Sequence, residues 1–197
     1  MMRETILTYL ENALEKKLGE EYDFSIDFLP NQQIIQVGFR LFGENKEKIS
    51  LEDAKHQESH EEFIEFQDFA YFYEEGKVNP EVLDGFAYIP FDRKKGIQTG
   101  VIDAFTESFY ETAERGQEDL LDFLLAVDLL QKIENKTDEE IKNLFSELSA
   151  QHQDILIQSL EKVPKFELYW NKESFQKRIE QSLATERGQV FLPYPKY

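Results

Sequence analysis

The sequence predicts an α+β fold, an antiparallel sheet of about five or six strands with helices packed on one face, and three observations carry that expectation. Tyr22, Phe24, Ile26 and Phe28 alternate with polar residues, as do Ile35, Val37, Phe39 and Leu41, which is the two-residue period of half-buried strands. Ile6, Leu7, Leu10, Leu14 and Leu18 recur at helical spacing. Strand-like and helix-like stretches come in runs rather than in regular βαβ alternation, which argues against a doubly wound parallel sheet.

Taken in order, the first helix ends at Gly19, a residue suited to the left-handed backbone of a C-terminal cap. The two alternating stretches are joined by "LPNQQ" and read as a hairpin whose second strand ends at Gly43. Residues 44–62 are polar, with Ile49 and Leu51 as the apolar anchors of an exposed loop. Phe63 to Tyr73 reads as a third strand with aromatic residues on both faces, central or bulged, and "FAYIPF" as a short edge strand ended by Pro90.

Ile102, Phe105, Phe109 and Ala113 then form a helical stripe that Gly116 is expected to interrupt, before a second helix carrying Leu120, Leu121, Leu124, Val127 and Leu130. Thr137 and Glu140 form a capping box for a further helix, and "DILIQSL" completes a helical stretch ending near Pro164. Phe166, Leu168 and Trp170 return to strand period. A helix with Phe175, Ile179 and Leu183 and a last strand in "QVFLPY" close a single domain spanning residues 1–197.

Composition narrows the function. The chain of 197 residues is 41% hydrophobic with 17 Phe, so it has the means to bury an aromatic core. Without cysteine, disulfides and thiolate sites are impossible, which suits a cytoplasmic protein. The charged N-terminus is not a signal peptide, and no apolar run reaches the ~20 residues a membrane span needs. A net charge of −18 repels nucleic acid and anionic lipid and favours a partner with a basic surface.

Two charged constellations stand out. Arg93, Lys94 and Lys95 precede a predicted helix N-terminus with Thr99 beside them, where cations oppose the helix dipole. Either carboxylates from elsewhere in the fold neutralise them, which is the expectation, or an anion binds using the nearby amides. The order of residues is not that of a P-loop, whose lysine follows its glycines. The second constellation is acidic: Asp103, Glu107, Glu111, Glu114, Glu118 and Asp122 recur every three or four residues and could form a ridge facing a basic partner. It could equally be a solvated helix face.

His56 and His60 lie four apart but lack the Glu of the zincin signature and a third ligand, so no metal or cofactor is expected. The sequence nominates no catalytic residue. It contains no nucleophile elbow and no dinucleotide fingerprint, and among 40 carboxylates none can be singled out as an acid or base.

The segments "PFDRKKGI", "ERGQEDLLDFL", "FELYWNKESF" and "PYPKY" together resemble a family of Gram-positive bacterial cytosolic proteins, domain of unknown function 3013. The resemblance runs from the first helix to the last residue and is broken at 126–163, which it marks as a helical insertion. It brings no catalytic residue, substrate or cofactor. The resulting expectation is a non-enzymatic, acidic protein that binds another protein. A small anionic-ligand binder or enzyme using the 93–95 loop is the alternative, and a nucleic-acid mimic using the acidic ridge is a third. The sequence does not set the oligomeric state.

Overall fold

The computed structural model describes residues 3–44, 51–52, 58–59 and 63–195. Strands β1 (Asp23–Leu29), β2 (Ile34–Glu44), β5 (Phe63–Glu74) and β6 (Ala87–Phe91) form a sheet in the order β1-β2-β5-β6. Two further pairs of two-residue strands stand apart from it. These are β3 (Leu51–Glu52) with β4 (Glu58–Ser59), and β7 (Ile97–Gln98) with β8 (Phe191–Leu192). The helices are α1 (Ile6–Leu18), α2 (Thr99–Ile133), α3 (Asp138–Glu147), α4 (Ala150–Glu161) and α5 (Lys172–Leu183). The chain is thus α+β, with helices packed on the sheet.

Several details of the expected fold are corrected. Among the described residues the main sheet has four strands rather than five or six, and it is mixed rather than antiparallel. β1 and β2 pair antiparallel, but β5 and β6 run parallel with Ala70 opposite Ala87 and Glu74 opposite Phe91. A parallel neighbour needs a crossover of roughly a dozen residues, which the turn and short 3-10 helix between Glu74 and Ala87 supply. Pro90 is accommodated because β6 is an edge strand. The run around Phe166, Leu168 and Trp170 does not join a ladder, and the last predicted strand shrinks to β8.

A further correction is at Gly116, which does not end a helix: α2 is continuous over 35 residues. A single interior glycine costs a helix about 1 kcal/mol relative to alanine, too little to stop it without a proline or a cap. The strong aromatic strand is central, as its two-faced pattern suggests, because β5 lies between β2 and β6.

The chain divides into two compact units. The first comprises residues 1–41, 66–115 and 168–197. Its core joins the buried stripe Ile6, Leu10, Leu14 and Leu18 of α1 to Phe39, Phe72, Phe105 and Phe109. Phe72 meets Phe105 edge-on with ring centres 4.8 Å apart, and Phe39 meets Phe109 at 5.2 Å, geometries that add to the area these rings bury. The opposite sheet face is aromatic too. Phe69 lies against Gly38, where a side chain would collide with its ring, and Tyr71 stacks on Tyr88.

The second unit comprises residues 42–65 and 116–167. Gln117 clamps the end of β2 by donating to the Phe42 carbonyl at 2.8 Å and accepting from the Phe42 N–H at 3.4 Å. Leu124 fills the space beside Gly43. The predicted capping box at α3 is present, with Thr137 and Glu140 exchanging side-chain to backbone bonds. Leu120, Leu124, Leu129 and Leu156 are buried here.

Candidate functional site

The basic loop is the tip of a tight hairpin. Asp92 and Gly96 bridge across its base, and Gly96 takes φ +86, in the left-handed region that favours glycine. The Asp92 carboxylate accepts from the amides of Lys94 and Lys95 at 2.7 and 2.8 Å, and those two bonds hold its pKa below the usual carboxylate value. Asp92 therefore already uses two of the amides that an incoming anion would need.

The three cations are exposed, and no carboxylate of a described residue lies within ion-pair distance of them. The guanidinium of Arg93 instead sits over the Tyr194 ring at 5.3 Å. Thr99 is buried and donates its hydroxyl to the Arg187 carbonyl, so it is not aimed at the loop. Among the described residues no distant carboxylate neutralises the loop; one local aspartate and one aromatic ring organise it.

The acidic positions of α2 have individual roles. Asp103 accepts the Tyr9 hydroxyl at 2.7 Å. Glu107 pairs with Lys17 at 3.0 Å, and Glu111 forms a two-pronged pair with Arg178, whose guanidinium also donates to Ser108. The bonds from Arg178 lower the pKa of Glu111. Glu114 is exposed beside Tyr110, whose pKa is raised first by desolvation and then by the Glu114 charge. Glu118 and Asp122 are exposed in the second unit. His56 and His60 lie outside the described residues. Among the described residues, no group of three or more His, Cys, Asp or Glu is placed to hold a metal ion.

Two features went unnoticed in the sequence. The first is a groove of about 900 Å³ in the first unit, walled by α1, the start of α2 and α5, with Tyr9, Lys16, Asp103 and Arg187 on its lining. Burial and the bond to Asp103 push the Tyr9 hydroxyl up to about 12, against partial relief from Arg187. No sequence signal unites residues so far apart in the chain.

The second feature is on α4. Leu156 and Ser159 face inward, while Ile157 and Leu160 are 44% and 60% exposed. Helical spacing puts Asp154, Ile157, Leu160 and Glu161 on one side, so an apolar step is bracketed by two exposed carboxylates. On α3 the apolar stripe Ile141, Leu144 and Phe145 is only half-buried, and that helix has no buried residue. Here the sequence did hold a signal: "DILIQSL" has more apolar positions than one helix face can bury.

A family model described as a protein of unknown function, DUF3013, matches residues 1–158. A solved structure described as a conserved protein of unknown function from Enterococcus faecalis is similar at 30% sequence identity and a TM-score of 0.69, covering 100% of this chain and 98% of that one. No curated protein matches.

Proposed function

The chain belongs to the DUF3013 family of proteins of unknown function, and from its own geometry we propose that it is a non-enzymatic interaction protein that binds another protein through the exposed side of α4. The observation that carries this reading is the pair Ile157 and Leu160, left in solvent one turn apart with Asp154 and Glu161 at either end. An apolar step between carboxylates suits a partner segment that presents apolar anchors flanked by lysine or arginine, laid along the helix. The net charge of −18 steers such a basic partner inward and makes its association rate fall with salt.

Apolar anchors supply most of the affinity at an interface, and rim charges mainly set rate and specificity. The test is affinity capture from a lysate of the source cell, with wild-type chain and the Ile157→Glu/Leu160→Glu double variant as parallel baits. The expected result is a stoichiometric partner that is retained by wild type, eluted by salt and lost from the variant. Both positions are exposed, so the variant should keep the wild-type melting temperature within a few degrees. A partner held equally by both baits would place the binding surface elsewhere.

A further inference from the structure

The groove of the first unit lies wholly within that unit and is lined from three helices, with Asn12 and Lys16 on α1, Asp103 and Glu107 on α2, and Gln181 and Ser182 on α5. Ala13 and Ala104 also line it, and side chains this short leave the space between the helices unfilled. The turn after α5 is drawn onto the first turn of α2 by close approach at two glycines. A Cβ at Gly188 would run into the Ser182 carbonyl, and one at Gly100 would press on the Gly188 carbonyl. Thr99 ties down the same turn by donating to the Arg187 carbonyl. The backbone of Arg187 is thereby held, and its guanidinium comes close enough to the Tyr9 hydroxyl to oppose the effect of burial and of Asp103 on it.

Hydrogen-bonding capacity on this lining is lopsided. The carboxylates of Asp103 and Glu107 already take protein donors, from Tyr9 and Lys17. Among the described residues, the side chains of Asn12, Lys16, Gln181 and Ser182 meet no protein acceptor, and Arg187 has no carboxylate within ion-pair distance. Glu4 is the lining carboxylate that no described residue pairs. Lysine and arginine outnumber aspartate and glutamate on the lining, the reverse of the balance in the whole chain. A surplus of donors and positive charge suits a ligand that presents anionic oxygens. The volume of about 900 Å³ matches a small-molecule site, and the net charge of −18 turns away polyanions while leaving a molecule with one or two charges free to enter.

We propose that this groove binds a small organic anion, a carboxylate or a phosphate ester, whose charged group is held by Arg187 beside the Tyr9–Asp103 pair and whose remainder lies along α1 toward Lys16. Tyr9 is a positioning residue in this arrangement. Its proton is committed to Asp103, so its oxygen faces the Arg187 guanidinium as an acceptor and helps to aim it. Lys16 stands seven residues on from Tyr9, about 10 Å along the helix, where it supplies a second cation for a longer ligand. The site uses neither α4 nor the 92–96 hairpin, where Asp92 occupies the amides of Lys94 and Lys95.

The test is titration of the isotope-labelled full chain with inorganic phosphate and, separately, with succinate, at an ionic strength held constant with sodium chloride, following backbone amide shifts by NMR. The expected result is saturable shifts at the amides around Tyr9, Asp103 and Arg187 with at least one probe. The probe that saturates at the lower concentration tells a phosphate ligand from a carboxylate. The hairpin with its exposed Arg93, Lys94 and Lys95 is the control for general ion attraction, and its shifts should be small and unsaturated. Arg187→Gln should weaken binding about tenfold or more, and Lys16→Gln should weaken it less. Both side chains are exposed and the Arg187 carbonyl that Thr99 uses is kept, so unchanged spectra away from the groove establish that the variants fold. No saturable shift at the groove with either probe, an equal response at the hairpin, or undiminished binding by Arg187→Gln would each overturn the proposal.

Discussion

At the scale of single residues, Tyr9 donates its hydroxyl to Asp103 at 2.7 Å, and Thr137 and Glu140 cap α3. The Thr137 and Glu140 capping box was legible because its partners are three residues apart. The role of Asp103 was not, because its partner Tyr9 lies in another helix. That pair makes a definite prediction. A tyrosine whose folded pKa is raised contributes stability that is fully present below the unfolded value near 10 and is lost as pH rises through about 12. Burial is the larger cause of the shift and Asp103 the second. Absorbance titration of the phenolate band should therefore show a late phase that Asp103→Asn moves to lower pH without bringing it to an exposed tyrosine's value. A curve unchanged by the substitution would mean that the hydrogen bond is not formed. The basic loop teaches the same lesson at shorter range: Asp92, quoted in the same motif as Arg93, supplies the turn's acceptor, whereas the ring of Tyr194 could not be foreseen.

At the level of elements, periodicity located nearly every helix and strand, and its errors have one physical origin. A period says how a segment is half-buried; it does not say what pairs with its edges or whether a weak breaker prevails. Hence α2 runs through Gly116, β6 runs parallel to β5, and the run at Phe166, Leu168 and Trp170 joins no ladder. The small β7 to β8 pair depends on a glycine for a reason that can be measured. At Gly96 a Cβ would run into the Leu192 carbonyl in addition to straining a φ of +86, whereas at Gly76, with φ +79, nothing lies within 4 Å. Gly96→Ala should cost about 2 to 3 kcal/mol in urea unfolding. Gly76→Ala, which carries the backbone strain alone, should cost about 1 kcal/mol. Equal losses at the two sites would show that the close approach to Leu192 contributes nothing.

For the molecule as a whole, the acid excess, the aromatic core and the α+β class were all readable from composition and order. The family likeness was carried by a few motifs spread along the chain, and the family model matches residues 1–158. No helix of the described residues is long and apolar enough to cross a membrane. The surface proposed to bind a partner was written in the sequence only as an excess of apolar residues in α4, which becomes informative once Leu156 is seen inside and Ile157 and Leu160 outside. The central claim is that this side of α4 receives a protein partner. Hydrogen exchange by mass spectrometry, run with and without the captured partner, tests it most directly. The account predicts slowed exchange in peptides spanning Ala150–Glu161, with the 92–96 hairpin and the groove beside Tyr9 unchanged. Slowing confined to the hairpin or the groove, with α4 unaffected, would contradict it.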